Sequence, residues 1–204
     1  MMRFVIADRE FAMGKHIAFI VIDSFADWEH AHLSAAVRTY FEGSTSFHTP
    51  GGKPVTSMGG MTIDPGNAIE DLKPTDYDAL VVIGSDGWTA ADAPDVSAAL
   101  QAADKAGKVV GAICAGTLAA ERAGLLESRR HTSKGVDFIQ GYGKGYGASA
   151  AYVETPAAVR DGNLITAAGS APVTFTVEVL SALHPNQLDG LAEFKAMCAA
   201  ELAA

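Results

Sequence analysis

The stretch KVVGAICAGTLAAERAGLL, Lys108 to Leu126, passes from an apolar β-branched run into small residues and then into helix formers, with a cysteine at the junction. A strand that leads directly into a helix is the repeating unit of a parallel α/β sheet, whose ligand crevice lies beyond the carboxyl ends of the strands. Cys114 stands at that end of its strand. Ala112, Ala115 and Gly116 around it make the small-x-nucleophile-x-small pattern of a nucleophile elbow, a turn that crowds its neighbours and lifts one side chain above the sheet. A sulfur at a helix N-terminus faces unpaired N–H groups and the positive end of the dipole, which lowers a thiol pKa. Spacing alone fits equally well a buried cysteine that packs as a small hydrophobe.

Working outward, the same alternation recurs. HIAFIVID (His16 to Asp23) and DALVVIG (Asp78 to Gly84) are apolar runs without polar alternation, as expected of strands buried on both faces. DWEHAHLSAAVRTYF carries Trp28, Leu33, Ala36, Val37 and Tyr40 at helical spacing, with Ser24 or Asp27 available as N-cap. STSFHTP reads as a further strand and KPVTSMGGMTIDPG as a hairpin around Gly59 and Gly60. DVSAALQAADKAG is a helix closed by Gly107, and the small residues and helix formers from Ala115 to Leu126 predict another. AAVRDGNLITAA is a hairpin turning at Asp161 and Gly162, and APVTFTVEVLSALH and NQLDGLAEFKAMCAAEL are closing helices. Residues 1 to 14 fit no element and read as an extension ahead of a single domain over 15 to 204.

Composition limits the function. The chain has 204 residues, 49% hydrophobic and 19% charged, which suits one globular domain. With 24 acidic against 15 basic residues and a formal charge of −9, neither nucleic acid nor an anionic membrane surface is an expected partner. No apolar run reaches the roughly 18 residues of a membrane span, and the start lacks the basic, apolar and small-residue regions of a signal peptide, so a cytoplasmic protein is expected. Cys114 and Cys198 are too few for a disulfide framework and are expected as thiols. His30 and His32 stand two apart on a helix and cannot chelate together, and no metal or cofactor is expected. GYGKGYG (Gly141 to Gly147) lacks the Lys-Ser/Thr ending of a phosphate loop and reads as a mobile loop near a pocket mouth.

AICAGTLAAERAGLL resembles the nucleophile segment of the ThiJ/PfpI superfamily, which shares its fold with class I glutamine amidotransferases. FADWE (Phe25 to Glu29) and VRDGNLITAAGSAPVTFTVEVL resemble the family's acidic stretch and its closing hairpin and helix, so the likeness runs from about His16 to Leu183. The resemblance implies a doubly wound, mostly parallel flavodoxin-like α/β sandwich with a β-hairpin and C-terminal helices, assembled as a homodimer. It implies that Glu29 points at the Cys114 sulfur, although Glu29 also fits a solvated carboxylate in a first helical turn. A carboxyl group facing a thiolate in a closed pocket must hold a proton, because two adjacent anions cannot both form cheaply.

An oxyanion site would combine the N–H of Ala115 with one from the loop after LVVIG. The family carries paired glycines there; GSDGW is one residue shorter, which makes Ser85 the match and Asp86 the alternative. Two positions where relatives carry histidine hold Ala115 and Lys134 here, while His131 is displaced by three residues and reads as an exposed loop histidine. His32, one helical turn from Glu29, and Trp88 are candidate pocket residues, Trp88 fitting simple packing equally well; Cys198 fits the core or an interface.

No His-x-Glu pair follows toward the C-terminus, so glutamine hydrolysis with ammonia transfer is not expected. The expected activity is a cysteine-dependent attack on a small electrophilic carbonyl or acyl compound, hydrolase-like or glyoxalase-like. The alternative is a redox-responsive stress protein whose Cys114 becomes a sulfinate without turnover. The protease label often attached to the family gains little from a cysteine–glutamate dyad.

Overall fold

The computed structural model describes residues 14 to 200. The proposed extension therefore lies, apart from Gly14, outside the described residues. The chain order is β1 (His16–Ile20), α1 (Asp27–Tyr40), β2 (Ser44–His48), β3 (Val55–Thr56), β4 (Thr62–Ile63), β5 (Ala79–Val82), α2 (Ser97–Lys105), β6 (Val109–Ile113), α3 (Thr117–Arg122), α4 (Val136–Tyr142), β7 (Val159–Asp161), β8 (Leu164–Ala167), α5 (Pro172–Leu183) and α6 (Leu188–Ala200). Six strands form one sheet in the order β2-β1-β5-β6-β8-β7, parallel except for the β7–β8 hairpin. β3 and β4 make a separate antiparallel hairpin.

The apolar runs become interior strands because each has a core on both faces. Ile17, Phe19 and Val21 point to the layer of α1 and α5, where Leu33, Val37, Phe175 and Val179 pack. Ala18, Ile20 and Ile22 point the other way, to a layer containing Leu100, Leu118 and Trp88. The period of two along a strand thus divides one run between two cores. β1 has its sequence neighbour β2 on one side and β5 on the other, so the winding direction reverses beside β1. Ligand crevices of open α/β sheets form at the carboxyl ends of strands around such a reversal.

Three local expectations are corrected. Neither Ser24 nor Asp27 caps α1: Ala26 holds the cap position without a side-chain bond, and the Asp27 carboxylate instead accepts from Ser57 Oγ and Gly59 N. The helix expected from Ala115 to Leu126 contracts to a 3₁₀ turn over Cys114–Gly116 and the six residues of α3. Gly124, at φ +73°, has left the helix by then. GYGKGYG is not a loop throughout, since Gly141 and Tyr142 complete α4, and its last four residues, Lys144 to Gly147, line a groove of about 220 Å³ with Glu121, Arg122 and Glu127 rather than with Cys114. Among the described residues no helix is long and apolar enough to cross a membrane.

Candidate active site

Four residues that follow the carboxyl ends of β1, β5, β6 and β8 converge. Cys114 begins the turn after β6 with φ +57°, a left-handed backbone on a non-glycine residue, while Ile113 before it is extended. Holding such a conformation costs on the order of 1–3 kcal/mol and lifts the side chain over the strand end, as the elbow pattern predicts. The turn is tied down from below: Thr117 Oγ1 donates to the Cys114 carbonyl at 2.7 Å and accepts from Ser133 Oγ at 2.6 Å.

Glu29, in the first turn of α1, is completely buried. Its Oε2 accepts the Gly84 N–H at 2.7 Å, while Oε1 faces the cysteine and has no other partner among the described residues. Glycines line both sides of the pair. A Cβ at Gly84 would lie 2.6 Å from Glu29 Oε2 and 2.7 Å from Cys114 Cβ; one at Gly169 would lie 2.8 Å from Cys114 Sγ and 2.9 Å from Glu29 Oε1. No side chain fits at either place, so absence of a Cβ is what brings carboxyl and sulfur together.

The electrostatics follow from burial. Burial pushes the Glu29 carboxyl up to about 7, against the pull of the Gly84 N–H and the Lys134 charge. Burial first, then the Glu29 charge, push the Cys114 thiol up to about 12, with the Ala115 N–H and Lys134 pulling the other way. Each anion opposes the other, so between these values the pair carries one negative charge and one proton. The lowered thiol pKa expected from a helix N-terminus does not arise. A 3₁₀ turn followed by a six-residue helix offers little dipole, and desolvation outweighs it.

The other candidates lie elsewhere. Ser85 is buried, with its Oγ donating to Asp23 O at 2.6 Å and accepting from Gly87 N; its own N–H makes no hydrogen bond among the described residues. Asp86 starts the 3₁₀ turn that follows. Trp88 is not a pocket wall: it is fully buried in the core, with Nε1 donating to Ile83 O at 2.8 Å. His32 faces Phe194 of α6, and Cys198 on the same helix is half-buried. His30 is buried among the rings of Phe19, Phe25 and Phe47, neither ring nitrogen is paired among the described residues, and burial lowers its pKa.

His131 is buried, not exposed. Its Nδ1 meets the carbonyl of Arg129 at 2.7 Å, so Nδ1 carries the proton and Nε2 accepts from Tyr146 Oη at 2.6 Å. Burial lowers its pKa, which keeps it neutral. Among the described residues no histidine hydrogen-bonds Cys114. His131→Ala should therefore act on the fold. It leaves the Tyr146 hydroxyl without its acceptor and opens a cavity, costing about 2–4 kcal/mol in urea unfolding. The rate of Cys114 alkylation should change less than the roughly 10²-fold attached to a lost general base.

Sequence reading missed Gly84, Gly169 and the Thr117–Ser133 support. A signal existed for the two glycines, since each follows a strand end, in LVVIG and in ITAAG.

Known proteins resemble this chain over most of its length. The chain is 31% identical over 176 residues to a Bacillus subtilis protein named uncharacterized protease YoaZ, covering 83% of each chain. It is 34% identical over 167 residues to the uncharacterized protease YdeA of the same organism, covering 81% of this chain and 82% of that one. Among solved structures, a DJ-1 superfamily protein from Agrobacterium tumefaciens superposes with a TM-score of 0.86 at 38% identity, over 92% of this chain and 98% of the other. A thiJ/pfpI family protein from Bacillus anthracis gives 0.78 at 27%, over 89% and 88%. The DJ-1/PfpI family pattern matches residues 15 to 182, a span that holds Glu29, Gly84, Cys114 and Gly169, and the chain belongs to the DJ-1/PfpI family.

Proposed function

We propose that Cys114 is the nucleophile of an enzyme that acts on a small electrophilic carbonyl or acyl compound, with Glu29 moving the proton. The observation that carries this reading is the strained elbow at φ +57° with a buried carboxyl held against its sulfur. In the singly charged pair the attacking form has the charge on sulfur and the proton on Glu29. The sulfur forms the C–S bond, the C=O π pair moves onto oxygen, and Glu29 protonates that oxygen. An aldehyde yields a thiohemiacetal. An ester instead expels its alkoxide, which takes the proton and leaves a thioester for water to hydrolyse. The N–H of Ala115, beside the sulfur, and the unengaged N–H of Ser85 are the oxyanion donors in this reading. The protease names of the two Bacillus relatives are in keeping with acyl transfer at a cysteine.

The test is acid-quenched incubation with p-nitrophenyl acetate followed by peptide mapping. An acetyl group should appear on the Cys114 peptide and not on that of Cys198. Acetylation confined to Cys198, or a release rate unchanged in Cys114→Ala, would sink the proposal.

One observation favours a second reading: among the described residues no histidine meets the sulfur, which leaves Glu29 as the only proton acceptor there. In that reading two equivalents of peroxide convert the thiolate to a sulfinate, releasing two waters, and the Glu29 proton hydrogen-bonds the product. A Cys114 that takes up two oxygens but never an acetyl group would assign this role.

A further inference from the structure

Trp28 immediately precedes Glu29 and is 47% exposed, uncommon for so large an apolar side chain. It is nevertheless fastened: its Nε1 donates to the carbonyl of Gly169 at 2.9 Å, across 141 residues of sequence. Gly169 is the residue whose missing side chain leaves room for Cys114 Sγ and Glu29 Oε1. One edge of the indole thus holds the wall of the Cys114 site, while about half of the residue stays open to solvent. Other exposed apolar groups are anchored nearby. Met58 and Met61, 45% and 46% exposed, lie on the β3–β4 hairpin, which is pinned to the residues just ahead of Trp28 through Met58 N to Phe25 O at 2.9 Å and Gly59 N to Asp27 Oδ2 at 2.8 Å. The fold thereby places three apolar side chains where α1 begins, and among the described residues no charged group bonds the indole.

We infer that Trp28 determines specificity at this site: its N–H positions Gly169 against the cysteine, and its open ring receives an aryl or extended alkyl substituent on the substrate's carbonyl carbon. The inference rests on the reading of Cys114 as nucleophile. A flat hydrocarbon group stacked on an indole gains attraction beyond its buried area, which ranks an aryl oxoaldehyde above a methyl one.

The experiment compares kcat/KM for phenylglyoxal and methylglyoxal, with Cys114→Ala as background. In parallel it compares Cys114 alkylation by iodoacetanilide and by iodoacetamide, which needs no turnover. Wild type should favour the aryl member of each pair by about tenfold. Trp28→Ala should erase both preferences. Trp28→Phe keeps a ring but loses the N–H, so it should retain the preference while kcat falls several-fold on both aldehydes with KM nearly constant. Unchanged preferences in Trp28→Ala, in the alkylation pair as well as in turnover, would overturn the inference. Absent turnover with a Trp28-dependent alkylation preference would count against the enzyme reading alone.

Discussion

Gly84→Ala and Gly169→Ala should each lower turnover by at least about 10²-fold, although neither removes a functional group. At Gly84 the new methyl would lie 2.7 Å from Cys114 Cβ, an atom tied directly to a backbone already held at φ +57°. It would also lie 2.6 Å from Glu29 Oε2, and that oxygen cannot retreat without giving up its bond to the Gly84 N–H. At Gly169 the methyl would wedge between sulfur and carboxyl, 2.8 Å from one and 2.9 Å from the other. Relief requires the pair to separate by an ångström or so, and a displacement of that size at a reacting atom costs about 10²-fold. The accompanying overpacking should cost about 1–3 kcal/mol in urea unfolding, leaving a folded protein on which rates can be measured. Cys114→Ala sets the floor for the comparison. If either glycine variant kept more than a tenth of the wild-type rate while folded, the close approach would not be a catalytic requirement.

Glu29→Gln should make the protein more stable above neutrality while weakening its chemistry. The carboxyl has its ordinary value of 4.5 in the unfolded chain and about 7 in the fold, raised chiefly by burial. Between those values the native state keeps a proton that the unfolded chain has lost. The group's contribution is therefore fully present below pH 4.5, declines as the pH rises, and is gone once the pH passes 7. At about 1.4 kcal/mol per pH unit, the interval amounts to ~3 kcal/mol. Glutamine has no proton to lose and still offers an oxygen to the Gly84 N–H, so the difference between wild type and variant should grow through that window and level off above it. Urea midpoints at a series of pH values from 4 to 8 measure this, and parallel curves would refute the assignment of a raised pKa to Glu29. Alkylation of Cys114 in wild type should accelerate as the pair loses its first proton near pH 7, an inflection the glutamine variant should lack. A carboxyl that costs stability at working pH is of the kind that function retains.

These two expectations differ in how much of their basis could be read from the chain. The strand and helix sequence, the parallel sheet and the elbow at Cys114 follow from local pattern. A β-branched apolar run has few alternatives to a doubly covered strand, and small residues around a strand-end cysteine have few alternatives to a tight turn. Glu29 came from resemblance, because a carboxylate in a first helical turn looks the same in sequence whether solvated or buried. A polar setting conceals burial in both remaining cases: His131 sits in a polar loop and reads as exposed, and Trp88 follows a polar turn, which leaves pocket wall and packing equally open. Both lie at the centre of packed clusters assembled from distant segments, His131 with Tyr146 and Tyr152, Trp88 with Ile83 and Arg122.

Apart from α4, which no run in the sequence announces, the order of strands and helices, the two-sided core and the cysteine at the end of β6 are legible in the chain, since each depends on side-chain period and backbone preference within a dozen residues. Tertiary structure alone decided the chemistry of that cysteine. The raised pKa of Glu29 and of Cys114, the room left by Gly84 and Gly169, and the clamp from Trp28 arise where β1, β5, β6 and β8 end together. Desolvation and close contact are properties of what surrounds a group, and the groups around Cys114 come from positions 28 to 169, brought together only by the winding of the sheet.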